Sequence, residues 1–83
     1  MAQIDPAAVA IGAAVRGAIA QAGLSQAEAA DQTGLSINTL SRRINGTLPF
    51  TWPELVRIGA ITGVTASDLA ATAERLASQK ATA

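Results

Sequence analysis

Residues 25–46 read SQAEAADQTGLSINTLSRRING, and the order of residue types in this stretch decides the fold. Ser25 with Glu28 three residues later has the type and spacing of a capping box, so a helix begins there. Ala29, Ala30 and Thr33 are expected to face inward, and Gly34 ends the helix. Leu35 is the apolar residue of a short turn. Ser36 then caps a further helix running to about Asn45, and Asn45-Gly46 stops it. Leu40 and Ile44, four apart, point into the core, which leaves Asn38, Ser41, Arg42 and Asn45 on the outward side. Two helices crossing steeply within so short a turn must bring their backbones together. Small residues at Ala30 and Gly34 are expected to permit that approach.

Working outward, Met1–Asp5 reads as a lead-in, with Asp5-Pro6 as N-cap and first residue of a helix that continues to about Ala22. Ile11, Val15 and Ile19 form one apolar stripe on it. Gly12 and Gly17 weaken this helix, though either can admit a close neighbour. Gly23 follows its end, where Leu24 can pack back. On the other side, Thr47–Phe50 is a connecting loop. Thr51-Trp52-Pro53-Glu54 opens a fourth helix with a second capping box, proline being tolerated in a first turn. Leu55, Ile58 and Ile61, with Trp52 as a further candidate, supply its buried face, and Gly63 ends it. Thr65 and Asp68 offer a weaker cap to a last helix carrying Leu69, Ala73 and Leu76, with Gln79–Ala83 expected to fray. No stretch alternates with a period of two, and no repeat or low-complexity linker occurs. The expected fold is all-α: a compact five-helix bundle containing a helix-turn-helix at 25–46, forming a single domain over 1–83 with its core in 6–78.

A chain of 83 residues buries a modest core, and many domains of this length fold alone. The absence of cysteine and histidine excludes disulfides and thiolate or imidazole metal sites, which fits a reducing compartment. The longest weakly polar run, Ala7–Val15, is far short of the roughly 20 residues that span a bilayer. It also lacks a basic leader, so a cytoplasmic protein is expected: bacterial cytoplasm or nucleoid, or host cytoplasm if phage-encoded. Without histidine or cysteine the usual general base and thiol nucleophile are missing, and no glycine-rich phosphate loop appears. Glu28 and Asp31 lie three apart on one helix but make an incomplete metal or acid–base site; they read as a cap and a solvated face. No enzyme activity, cofactor, metal or small-molecule ligand is expected.

The third helix carries the chemistry of a different function. A helix that enters a DNA major groove needs short polar residues near its N-terminus and long donors further along. Ser36, Asn38, Thr39 and Ser41 are of the first kind. Asn38 has the groups to bond adenine N6 and N7, and Arg42 those to grip guanine O6 and N7; Ile37 or the Thr39 methyl suits a thymine methyl. Six basic residues against six acidic ones, a net charge of zero, count against nucleic-acid binding. Locally the balance differs, because no acidic residue lies between Asp31 and Glu54, where Arg42 and Arg43 stand. Uncharged groups at Ser25, Gln26, Asn45, Thr47 and Thr51, and N–H groups at helix starts, can also meet phosphates.

Leu24-Ser25-Gln26, Ala30, Gly34, Leu35, Leu40-Ser41-Arg42 and Asn45-Gly46, flanked by helices on both sides, resemble the lambda-repressor-like, or Cro/C1-type (XRE), helix-turn-helix family. The similarity covers about residues 9–77. The stretch from Ser41-Arg42-Arg43 to Pro49-Phe50-Thr51 is similar to small regulators of actinobacteria and their phages. The resemblance implies that Gln26 bonds phosphate and braces base-reading side chains. It implies that Ile37, Asn38 and Arg42 hold the main base-reading positions beside Ser36, Thr39 and Ser41, and that Asn45, Thr47 and Thr51 touch the backbone. Two residues depart from the family. Ile37 stands where many members carry a polar reader, and Arg43 where a second aliphatic residue is usually buried. Arg43 can bring its head to a phosphate, or form a core-edge salt bridge to Glu28, Asp31 or Glu54. Arg16, the only basic residue of the first helix, is a further candidate for the DNA backbone.

These readings converge on a sequence-specific regulator of double-stranded DNA, of the phage-repressor, Cro-like or antitoxin-like kind. Pairing of two copies on two half-sites is the default for so small a module. Such a pair would use the fourth or fifth helix or the nearby loops. The rival is a protein-interaction module that keeps the fold without binding DNA.

Overall fold

A computed structural model describes residues 5–82, so the lead-in before Asp5 lies outside it. The order is α1 (Pro6–Gln21), α2 (Gln26–Thr33), α3 (Ile37–Ile44), α4 (Trp52–Thr62) and α5 (Ala66–Thr82), with no strand among the described residues. The starts follow the local chemistry. The Asp5 carboxylate accepts the Ala7 N–H at 2.9 Å with Pro6 in the first turn. Both expected capping boxes are formed, Ser25 with Glu28 and Thr51 with Glu54. The Thr65 hydroxyl accepts the Asp68 N–H at the start of α5. No single described helix is long and apolar enough to cross a membrane.

The helix ends also share a chemistry. The Leu24 N–H reaches the Ile19 carbonyl, the Leu35 N–H that of Ala30 and the Thr47 N–H that of Arg42, each a bond that closes the last turn backwards. This closure needs a residue at positive φ, and Gly34 supplies it at +76°. Nothing lies within 4 Å of where a Gly34 side chain would begin. The expected role of Gly34 in close helix approach is therefore corrected: the glycine serves the backbone conformation, while Ala30, 3 % exposed, fills the packed position.

The bundle is organised by α1, which lies along α5 and also meets α3 and α4, while α2 packs on α3 and α4. Val15, Ile19, Leu40, Ile44, Ile58 and Leu69 are sealed at the centre, each worth roughly 1.5–3 kcal/mol of transfer free energy. Small residues of α1 (Ala10, Ala14 and Ala18) are buried beside them, so close approach compensates for the scarcity of large side chains. Gly12 is the sharpest case. A Cβ there would overlap the Ile44 carbonyl oxygen and stand 2.8 Å from that of Arg43, so α1 rests directly on the end of α3. One turn earlier in α1, Val9 occupies the space over Gly46.

Two further expectations are corrected. Trp52 is not part of the core; it is 64 % exposed. Of the stretch expected to fray, α5 includes the residues up to Thr82, and Ala83 lies outside the described residues. No glycine or proline interrupts it after Gly63, and Ala73, Leu76 and Ala77 anchor its second half to the core.

Candidate nucleic-acid interface

The turn from Gly34 to Ser36 presents α3 with one face sunk in the core and the other in water. Leu40 and Ile44 are buried, whereas Ile37 is 50 % exposed and Asn38, Arg42 and Asn45 are exposed. Asn38 and Arg42 lie one turn apart, about 6 Å along the axis. Neither side chain has a partner among the described residues. An amide and a guanidinium fork therefore stand ready on one stripe, with Ser41 half-buried beside them. The N-terminus of α3 has no acidic residue in its first turn, and both basic residues lie in its last, so its leading N–H groups keep their partial positive charge.

The hydroxyls at that end are less independent than the sequence suggests. Ser36 Oγ accepts the Thr39 N–H at 3.1 Å and donates its own proton to Thr39 Oγ1 at 2.8 Å. Ser36 is thereby committed to capping, and the outward proton belongs to Thr39. Neither this hydroxyl–hydroxyl hydrogen bond nor its direction is visible in residue spacing.

The candidate backbone positions frame this face. Ser25, Gln26, Asn45, Thr47 and Thr51 are all exposed, as is Arg16 on α1. The N–H groups of Ser25 and Thr51, however, are taken by Glu28 Oε1 at 2.9 Å and Glu54 Oε1 at 2.8 Å. What these starts offer a phosphate is thus the cap hydroxyl protons and the next N–H groups, not the cap N–H groups themselves. The Ser25 N–H, together with the Ser25 hydroxyl, also holds the Glu28 carboxyl below its ordinary value of about 4.5. A carboxyl depressed on folding stabilises the fold above that ordinary value and ceases to do so as pH falls through the folded one. Acid unfolding should therefore have a component below about pH 4.5 that Glu28→Gln removes, because the amide still accepts but does not titrate. An unchanged acid profile in that variant would contradict the linkage.

Arg43 takes the salt bridge rather than the outward position. Its Nε lies 2.9 Å from Glu54 Oε2, off the line of a good hydrogen bond, so the contact is one of charge. Its Nη1 donates to the Pro49 carbonyl at 3.1 Å. The side chains are 19 % and 8 % exposed. Arg43 thus ties α3 to the loop before α4 and to the Glu54 capping box, a bracing position that holds Thr47 and Thr51 in place. Glu54, expected as a cap and as one of three possible partners of Arg43, serves the cap of α4 and the brace together.

A family model described as a helix-turn-helix domain matches residues 10–76. Among solved structures, the clp gene regulator ClgR from Corynebacterium glutamicum is similar in fold, with a TM-score of 0.88 at 22 % identity, over 96 % of this chain and 85 % of that one. No curated protein matches.

Proposed function

The chain belongs to the helix-turn-helix domain family, and on that premise we propose that it is a sequence-specific, double-stranded DNA-binding transcriptional regulator. In this reading α3 enters the major groove, with Asn38 and Arg42 reading base edges, Ile37 meeting a thymine methyl, and Thr39 and Ser41 beside them. Ser36 fixes the helix start. Gln26, Ser25, Asn45, Thr47, Thr51 and Arg16 meet the DNA backbone, and Arg43 acts through the loop it braces. The carrying observation is the unpartnered Asn38–Arg42 stripe on a helix whose opposite face is locked in the core. The residue pattern of 24–51 supports a phage-repressor or Cro-like kind, working as two copies on two half-sites.

Electrostatics sets the expected strength. With Arg43 neutralised by Glu54, few cations remain to displace counterions, so non-specific binding is weak. In anisotropy titrations of the full chain against duplex fragments of its own genome, one fragment class should bind well above the rest. The slope of log K against log salt should be smaller in magnitude than about 4 per chain. A slope steeper than about 6 would show that phosphates dominate the contact. Failure to bind any duplex would instead favour the interaction-module reading.

A further inference from the structure

Asn38 and Asn45 are the two asparagines of the chain, and of these only Asn45 precedes a glycine. An asparagine in that setting is chemically labile, because glycine has no side chain to hinder its own nitrogen. The Gly46 backbone nitrogen, having lost its proton to hydroxide, attacks the side-chain carbonyl carbon of Asn45. A new C–N bond closes an imide ring, the bond to the side-chain nitrogen breaks, and that nitrogen takes a proton from water and leaves as ammonia. Water then opens the imide at either carbonyl to give an aspartate or an isoaspartate. The net change consumes water, releases ammonia and puts a negative charge where a neutral amide stood.

The fold holds this reaction closed. In the imide the Gly46 nitrogen shares a plane with Asn45 Cα, Cβ and Cγ, so it must eclipse Cβ. At the observed Asn45 ψ of −5° it eclipses the Asn45 nitrogen instead. Rotating that peptide breaks the bond from the Gly46 N–H to the Arg43 carbonyl at 3.2 Å and that from the Thr47 N–H to the Arg42 carbonyl at 3.0 Å. The first of these bonds also retains the proton that has to leave. Gly46 is buried, and Val9 stands so close that a Cβ added to the glycine would lie 2.7 Å from Val9 Cγ2. Asn45 itself is exposed, and its amide has no partner among the described residues. The group to be attacked is open to water while its attacker is clamped.

We propose that Asn45-Gly46 is a guarded modification site: the packing of α1 on Gly46 prevents its deamidation, and it reacts when α1 lifts from the end of α3. The product binds DNA poorly, because its carboxylate faces the phosphates and stands at the negative end of the α3 dipole. That consequence rests on the DNA-binding reading, whereas the guard does not. A molecule that opens here for long enough loses its function irreversibly.

The experiment follows intact mass and peptide maps of the full chain in mildly alkaline buffer, folded and in urea. Replacement of NH by O should appear at Asn45 and not at Asn38, whose neighbour Thr39 has a β-branched side chain. The folded chain should react at least about tenfold more slowly than the unfolded one, in proportion to how rarely the site opens. Val9→Ala trims the clamp and should raise the folded rate several-fold while leaving the rate in urea unchanged. Ile61→Ala loosens the core from the α4 side instead; at equal global stability it should react more slowly than Val9→Ala. The reacted protein, and Asn45→Asp, should bind duplex at least about tenfold more weakly than wild type. A folded chain that reacts as fast as the unfolded one would overturn the guard, as would a Val9→Ala rate no higher than that of Ile61→Ala. Wild-type affinity in Asn45→Asp would overturn the functional consequence. A wild type that binds no duplex would contradict the DNA-binding reading alone, and the mass readings would still decide the guard.

Discussion

Replacing Gly12 by alanine should lower stability by about 3 kcal/mol or more, and the melting temperature by more than about 10 °C for a domain this size. The added methyl would fall on the Ile44 and Arg43 carbonyl oxygens. Both belong to backbone, which cannot rotate aside as a side chain can. Relief would require lifting α1 from the end of α3 and opening the contacts of Val15 and Ile19 behind it. Gly17 is the internal control. It lies in the same helix with nothing within 4 Å of a new Cβ, so Gly17→Ala should stabilise by about 0.5–1 kcal/mol through the entropy glycine wastes in a helix. Urea and thermal unfolding of the two variants should therefore shift in opposite directions; equal shifts would contradict the packing of α1 on α3.

Arg43→Met should cost about 2–4 kcal/mol, because it leaves the Glu54 carboxylate nearly buried without its counter-charge. The methionine keeps most of the stem, so the loss reports charge rather than packing. Arg42→Ala, one residue earlier but exposed, should change stability by less than about 0.5 kcal/mol. Adding Glu54→Gln to Arg43→Met should recover part of the loss, since the uncompensated charge is gone. If Arg43→Met unfolds like wild type, the brace between α3 and the Pro49 loop carries no weight, and Arg43 returns to the phosphate role.

What could be read from the residues was what local chemistry decides. Ser25 with Glu28 and Thr51 with Glu54 mark two starts through hydrogen bonds that span three residues, and Gly23, Gly34 and Gly63 mark ends. The outward stripe of α3 followed from the burial of Leu40 and Ile44. Structure and expectation differ where a distant element decides. Gly34 looked like the site of close approach, yet a glycine kept for its φ and one kept for a neighbour look alike in sequence. The neighbour in fact meets Gly12, and that is fixed only once α3 crosses α1. Trp52 lies six residues before Ile58, about 120° around the helix from it, so the stripe that buries Ile58 leaves Trp52 in water. The partner of Arg43 was undecided because three carboxylates were within plausible reach and only the docking of α4 chose Glu54. In the candidate site, the exposure of Asn38, Arg42 and Asn45 is legible from periodicity, whereas Ser41, read as outward with them, is half-buried. The commitment of the Ser36 hydroxyl to Thr39, and of two cap N–H groups to glutamates, needed geometry.

The most direct test of groove reading by α3 is selection of preferred duplexes from a randomised pool by wild type and by Arg42→Ala, with Asn38→Ala in parallel. Each variant should lose preference at its own base position while keeping it elsewhere, a discrimination of about 1–3 kcal/mol per contact, or roughly 5- to 150-fold at that position. Identical preferences for the variants and the wild type would contradict the account.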